Sequence, residues 1–389
     1  MKLRSAGSLG TLALVAALGL SACGSDSPTT PETPTGAETT PSDTTDEATD
    51  EATDEGTDEG AAGDLSGTLQ ASGASAQQAA MIAWAAGYAE RQPGVTVNYD
   101  SVGSGTGRSN LLQGATVLAG SDSYLKPEEI ESSYEVCGEG GAINLPVYIS
   151  PIAVPFNLEG VDELNLSPTT LANIFNRSIT SWDDPAIAAD NEGVDLPSTP
   201  ITAVNRSDDS GTTQNFVEYL KAVAPNEFDY EASNTWPVDG GEAAAQTSGV
   251  ISVVQATDGA IGYADASAVG TLATANIGVG EEFVAYSPEA AARVVDASEF
   301  ADTGVEGDLA IDLARDTTES GAYPIVLVSY QIVCTGYDDE NTVNMIKDFV
   351  TYVASEEGQA TSAENAGSAP ISAELRDQIN ESLELITTK

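Results

Sequence analysis

The chain has 389 residues, with 13 Lys+Arg against 61 Asp+Glu, a formal net charge of -48 and no histidine. That charge makes nucleic acid and anionic membrane surfaces poor partners, and the missing imidazole excludes Ser-His-Asp and Cys-His catalysis and histidine-based zinc sites. The length is enough for two domains of ordinary size with real cores.

Lys2 and Arg4, the apolar stretch Leu12 to Leu20 and the sequence Leu20-Ser21-Ala22-Cys23 read as a secretory signal over residues 1–22 that ends in a lipobox-like motif. The apolar run is shorter than the roughly 20 residues needed to span a bilayer. Cys23 is expected to carry lipid and to become the mature N-terminus, which places the chain outside the cytoplasm, anchored to the cell membrane. Residues 23–63 follow as a tether. Gly24 to Gly63 contain no large apolar side chain and repeat a four-residue acidic unit from Thr45-Asp46-Glu47-Ala48 to Thr57-Asp58-Glu59-Gly60. Such a segment cannot bury enough surface to offset its ordering entropy; as a random coil it would span about 35 Å. It lacks the alternating ligands and glycine of a calcium-binding loop.

The body then shows strand-turn-helix units. Thr68-Leu69-Gln70 leads through Ala71 to Ala74 into a helix over Ser75 to Arg91, with Ala79, Ile82, Ala83 and Ala86 on one face. Val95 to Tyr99 leads through Val102 to Gly107 into a helix containing Leu111 and Leu112, and Val117 to Ser121 is a strand that ends in Asp122. Cys137 and Cys334 remain once Cys23 is assigned to lipid, and an even pair outside the cytoplasm favours a disulfide. Strands are expected at Val147 to Phe156, Gly259 to Ala264 and Tyr323 to Val333; helices at Pro168 to Phe175, Ala243 to Gln255 and Thr342 to Ala354. Residues 270–320 show no strong periodicity. Repeated strand-turn-helix units imply an α/β fold with parallel pairing, whose ligands bind at strand carboxyl ends.

The segment Arg206-Ser207-Asp208-Asp209-Ser210-Gly211-Thr212 follows the strand Ile201 to Val204 and precedes Phe216, Val217, Leu220, Val223 and Ala224 at helical spacing. Ser210, Gly211 and Thr212 therefore belong to a first helical turn, whose free amides, dipole and hydroxyls suit an oxyanion. Arg206 adds a planar fork of donors. Arg108 and Arg206 are two of the few bases in the body, and both lie in or beside Gly/Ser-rich turns. Together with Ser75 and Ser104 they suggest converging strand ends. Asp122 opposes an anion unless the ligand carries a proton, as phosphate does near neutral pH and sulfate does not. Asp208 either pairs with or orients Arg206 or caps the helix. The run Gly103-Ser104-Gly105-Thr106-Gly107 is spaced G-x-G-x-G, unlike a dinucleotide fingerprint.

Ser72-Gly73-Ala74-Ser75, Tyr99 to Gly107, Ala119-Gly120-Ser121-Asp122, Ile179 to Ile187, Asn205 to Thr212 and Gly259 to Tyr263 together resemble the phosphate-binding lipoproteins of high-affinity bacterial phosphate ABC importers. The resemblance covers nearly all of residues 66–370. It implies a two-lobed α/β fold of the type II periplasmic-binding-protein kind, each lobe a mixed, mostly parallel sheet flanked by helices, with the ligand in the interlobe cleft. Lobe I would comprise 64–152 plus 322–389 and lobe II 153–321. Phosphate would be held by Ser75, the Ala76 amide, Ser104, Asp122, Arg206, Ser210, Gly211 and Thr212, with Asp208 behind Arg206. The family usually has a threonine and then an aromatic residue where this chain has Ser75 and Ala76. The Trp182-Asp183-Asp184-Pro185 motif lies away from the ligand in that family and is read as structural. Cysteines near Cys137 and Cys334 look like those of actinobacterial members. The implied partners are inorganic phosphate, permease subunits and the membrane through lipid on Cys23; the implied protein is a monomer and not an enzyme, with no cofactor and no metal. An extracytoplasmic phosphate-ester hydrolase, or a binder of sulfate or molybdate, is the alternative.

Overall fold

Three strands, each running into a turn and then a helix, open the part of the chain that the computed structural model describes, Leu65–Lys389. The expected signal segment 1–22, lipid site Cys23 and tether 23–63 lie outside the described residues. β1 (Gly67–Gly73) leads to α1 (Gln78–Arg91), β2 (Val95–Ser101) to α2 (Ser104–Leu112), and β3 (Leu118–Ser121) to α3 (Pro127–Cys137). β1 lies between β2 and β3, parallel to both, so all three strand ends open on one edge. Their glycines interlock. A Cβ on Gly73 would stand 2.0 Å from the Gly120 carbonyl oxygen, and one on Gly107 would stand 2.5 Å from the Gly73 Cα. Any side chain at either position would push the three turns apart.

The chain continues through β4 (Ala142–Ala153), β5 (Pro155–Asn157), β6 (Leu164–Leu166), α4 (Pro168–Phe175), α5 (Pro185–Asp190), β7 (Thr202–Arg206), α6 (Gly211–Val223), β8 (Glu242–Ala244), α7 (Gln246–Ala256), β9 (Ala260–Gly262) and β10 (Ala264–Asp265). It ends through β11 (Ala273–Val279), β12 (Glu282–Val284), α8 (Pro288–Asp296), β13 (Glu299–Phe300), β14 (Ile311–Asp312), β15 (Val326–Cys334), β16 (Gly336–Tyr337), α9 (Glu340–Ala354), α10 (Glu356–Ala366), α11 (Ala373–Leu383) and β17 (Thr387–Thr388). A six-stranded sheet has the order β10-β4-β15-β3-β1-β2, and a seven-stranded sheet the order β12-β11-β5-β9-β7-β8 with β6 beside β11. Each sheet is the centre of one lobe. Both are mixed, as expected, but not mostly parallel, because the long strands β4 and β15 pair antiparallel in one and β5 and β11 pair antiparallel in the other. The parallel runs β3-β1-β2 and β9-β7-β8 contain β1, β2 and β7, which lead into the Gly/Ser-rich turns.

Two expected strands are each two strands in different sheets. Val147 to Phe156 divides at Val154 into the end of β4 and β5, and Gly259 to Ala264 divides at Tyr263 into β9 and β10. These are chain crossings between the lobes. An apolar run that is buried throughout shows no alternation, so its periodicity cannot mark a change of sheet. The stretch 270–320 holds β11, β12 and α8, where no periodicity was evident in sequence. The helix expected from Ser75 begins three residues later, at Gln78, which leaves Ser75 and Ala76 in the preceding turn.

Aromatic packing fixes the seven-stranded lobe beneath α6. Phe216 stacks on Tyr263 with centroids 4.5 Å apart, and Phe175 and Trp236 close around them. Trp182 is fully buried and donates its indole N–H to the Gly259 carbonyl at 3.0 Å, a structural role. Cys137, at the end of α3, is disulfide-bonded to Cys334, at the end of β15.

Candidate functional site

Arg206 is the last residue of β7 and is 3% exposed. Its backbone N–H donates to the Tyr263 hydroxyl at 3.1 Å, so the aromatic cluster sets where the strand ends. Nε and Nη2 donate to the two carboxylate oxygens of Asp208 at 2.7 and 2.5 Å. Asp208 also accepts the Gln246 backbone N–H at 2.9 Å. Burial works to raise the Asp208 carboxyl, but the Arg206 bonds and charge outweigh it and hold the group below the usual carboxylate range. Of the readings left open for Asp208, the structure shows the arginine partner; the cap of α6 is another residue.

That cap is Ser210, whose Oγ accepts the Thr213 N–H at 3.2 Å while its own N–H donates to the Asn234 carbonyl at 2.9 Å. Gly211 follows as the first helical residue, pressed so closely against the other lobe that a Cβ there would lie 2.7 Å from Ser104 Oγ and 2.9 Å from Asp122 Cβ. Only glycine lets α6 approach that far. Thr212 donates its hydroxyl to Asp122 Oδ2 at 2.9 Å. Asn215, one turn on, donates to the carbonyls of Asp122 and Gly211 at 2.5 and 2.9 Å.

Asp122 follows β3 and is 3% exposed. Its N–H donates to Ser104 Oγ at 3.1 Å, and its Oδ1 accepts the Ser329 hydroxyl at 2.9 Å. Burial raises its carboxyl above the ordinary value, opposed by hydrogen bonds from Ser329 and Thr212 and by the charges of Arg206 and Arg108. Ser104 begins α2 and is buried. The next amide, Gly105 N–H, donates to the Asp209 carbonyl at 3.2 Å, a main-chain bond between the lobes.

Ser75 and the buried Ala76 lie in the turn before α1. Ser75 Oγ accepts the Thr247 N–H at 3.1 Å and lies 2.9 Å from Thr247 Oγ1. Thr247 is on the first turn of α7, directly after Gln246, a non-glycine residue at φ 61°. Gln246 reaches across to the Ser101 carbonyl with its side-chain amide at 2.6 Å. The residues singled out in sequence thus form one connected set. Ser75 reaches Asp208 and Arg206 through Thr247 and Gln246, and Asp122 joins Ser104 to Thr212.

Sequence reasoning missed Gln246, Thr247, Asn215 and Ser329. For Ser329 a signal exists: a serine and a glutamine stand inside Val326 to Cys334, a strand buried at every position, and buried polar side chains require partners. Asn215 stands among apolar residues on α6, yet it is 3% exposed. Gln246 and Thr247 carry no comparable signal, because their role arises only when the lobes meet. Asn215 and Arg315 line a cavity of about 60 Å³ beside Asp122, together with Tyr124, Glu218 and Tyr330.

The profile of the PBP superfamily domain matches residues 38–357. The phosphate-binding protein PstS 2 of Mycobacterium tuberculosis is 38% identical over 290 residues, 72% of this chain and 78% of its own length. The phosphate-binding protein PstS 3 of the same organism is 36% identical over 325 residues, 82% of this chain and 86% of its own. Among solved structures, a high-affinity periplasmic phosphate-binding protein, PfluDING, determined with phosphate bound, superposes with a TM-score of 0.67 at 23% identity. That match covers 81% of this chain and 93% of the other.

Proposed function

The chain belongs to the PBP superfamily and, within it, to the PstS family of phosphate-binding proteins, and from that premise we propose that it captures inorganic phosphate outside the cytoplasm and delivers it to the permease of an ABC importer. The observation that carries the reading is the pairing of a buried carboxylate, Asp122, with the first turn of α6 and with the buried Arg206, itself held by the half-buried Asp208. A tetrahedral anion in the cleft would take donors from Arg206, from the free amides of Gly211 and Thr212, from the Ala76 amide and from the hydroxyls of Ser75, Ser104, Ser210 and Thr212. Each charge-assisted hydrogen bond contributes roughly 1.5–3 kcal/mol.

Asp122 supplies the selection. When the Thr212 hydroxyl turns from Asp122 to the anion, Oδ2 is left to accept a proton, which phosphate brings and sulfate lacks. An aprotic anion would set oxygen lone pairs against oxygen lone pairs. Capture and release need no bond-breaking step, and the chain has no histidine to serve as a general base. In this reading the lobe around the six-stranded sheet, expected over residues 64–152 plus 322–389 and extended by β10 from within 153–321, and the lobe around the seven-stranded sheet close on the ligand as a monomer, and lipid on Cys23 holds the protein at the membrane. Calorimetry of phosphate-stripped protein against phosphate, arsenate and sulfate tests it. Tight binding of phosphate with exclusion of sulfate is the expected result, and absence of phosphate binding overturns it.

A further inference from the structure

We infer that Arg108 is a positioning residue for anion recognition: its guanidinium braces the residues on both sides of Asp122 and, through Asn234, ties that turn to the start of α6. The inference rests on the reading of Asp122 as the acceptor of the phosphate proton. Arg108 lies on α2 just beyond the Gly103 to Gly107 turn and is 1% exposed. Its Nη1 donates to Ser121 Oγ and to Ser123 Oγ, each at 2.9 Å, so one nitrogen grips both neighbours of the carboxylate. Nε donates to both Glu129 oxygens at 3.0 Å, which anchors the guanidinium on α3.

The remaining nitrogen crosses the cleft. Nη2 donates to Asn234 Oδ1 at 3.3 Å, and the Asn234 amide donates to Ser123 Oγ, also at 3.3 Å. Asn234 lies between α6 and β8, is 2% exposed, and accepts the Ser210 N–H at its backbone carbonyl. Arg108 therefore joins the Asp122 turn to the residue that caps α6. A planar fork of five donors can serve these acceptors together, whereas an ammonium cannot hold them in one plane.

The second effect is electrostatic. Burial favours the neutral Asp122 carboxyl, and a buried cation behind it favours the ionised form that can accept a proton. The other charged or titratable groups around Asp122 are Arg206 with its partner Asp208, Tyr99 and Asp265, and, beyond the small cavity, Arg315 with Glu218 and Asp312. Arg108 is the cation that contacts both neighbours of Asp122. A protonated Asp122 would donate to an aprotic anion, so Arg108 keeps sulfate excluded to a lower pH.

Phosphate-stripped wild type, Arg108→Lys, Arg108→Met and Asn234→Ala are titrated with phosphate and with sulfate across about pH 5 to 8, with thermal unfolding recorded alongside. Asn234→Ala is expected to weaken phosphate about five-fold and Arg108→Lys about ten-fold, both with the wild-type pH at which sulfate begins to compete. Arg108→Met is expected to move that onset upward by about one pH unit. A folded Arg108→Met variant with the wild-type onset, or with both anions weakened equally at every pH, overturns the inference. So does wild-type phosphate affinity in both Arg108→Lys and Asn234→Ala, which decides the matter if Arg108→Met does not fold. A wild-type protein that binds no phosphate refutes the phosphate reading itself, an outcome distinct from these.

Discussion

Thr212 donates its hydroxyl to Oδ2 of Asp122 at 2.9 Å, joining the first turn of α6 to the end of β3 from opposite lobes. Ser329 occupies Oδ1 in the same way. Both oxygens of the carboxylate thus face donors, and a ligand can replace Thr212 without loss only if it brings a proton of its own.

Asp122→Asn tests that relationship, because an amide can donate where the carboxylate only accepts. The ratio of sulfate to phosphate affinity is expected to rise at least about ten-fold, near 1.4 kcal/mol of lost discrimination. Competition titrations read it directly, and an unchanged ratio would remove the proton-acceptor role.

Arg206→Ala removes the cation at the end of β7 and leaves the half-buried Asp208 without its arginine partner. Phosphate affinity is expected to fall by about ten-fold or more. Calorimetric titration at fixed pH measures the loss, and wild-type affinity would exclude Arg206 from the ligand.

Asp265 gives a pH dependence of stability. It is fully buried on β10, its Oδ1 accepts the Tyr148 hydroxyl at 3.0 Å, and its Oδ2 has no hydrogen-bond partner. Burial pushes its carboxyl up from 3.8 to about 6. With the folded value raised, the stability contribution is full below pH 3.8 and is lost as pH rises through about 6. The loss is on the order of 3 kcal/mol. Asp265→Asn should therefore be more stable than wild type near neutral pH, with the advantage gone by about pH 4. Urea denaturation at several pH values checks this, and parallel pH profiles for the two proteins would refute it.

The disulfide should govern stability and leave ligand affinity alone. β15 runs antiparallel to β3, with Val333 opposite Leu118 and Tyr330 opposite Ser121. Cys334 therefore lies at the start of β3, away from Asp122, which follows its end. Replacing Cys137 and Cys334 together by serine is expected to cost about 2–5 kcal/mol in unfolding free energy. Phosphate affinity should remain within about two-fold, less than 0.5 kcal/mol; a larger change would place the bridge in communication with the cleft.

The parts of the site legible in sequence are those made by local geometry. A strand followed by a Gly/Ser turn and a helix start is a contiguous pattern, so Ser104, Arg206 and Ser210 to Thr212 could be placed before any tertiary contact was known. Val154 and Tyr263 show where this ends. Each sits inside a buried apolar run that passes from one sheet to the other, and hydrophobicity alone does not distinguish two cores. Ser75 shows a second boundary. Its hydroxyl was legible as a donor, but its neighbour Thr247 lies 172 residues away, and only lobe packing brings them together.

The bond from the Gly105 amide to the Asp209 carbonyl joins two backbones. Proline at 105 would remove the donor and any Cβ there would stand 2.1 Å from Asp209 Cγ, but side-chain changes elsewhere in the cleft delete neither atom. Changes to the side chains that tune anion affinity can therefore leave this end point of closure in place. A permease that reads the outline of the shut receptor would meet the same shape in variants of this chain whose binding strengths differ.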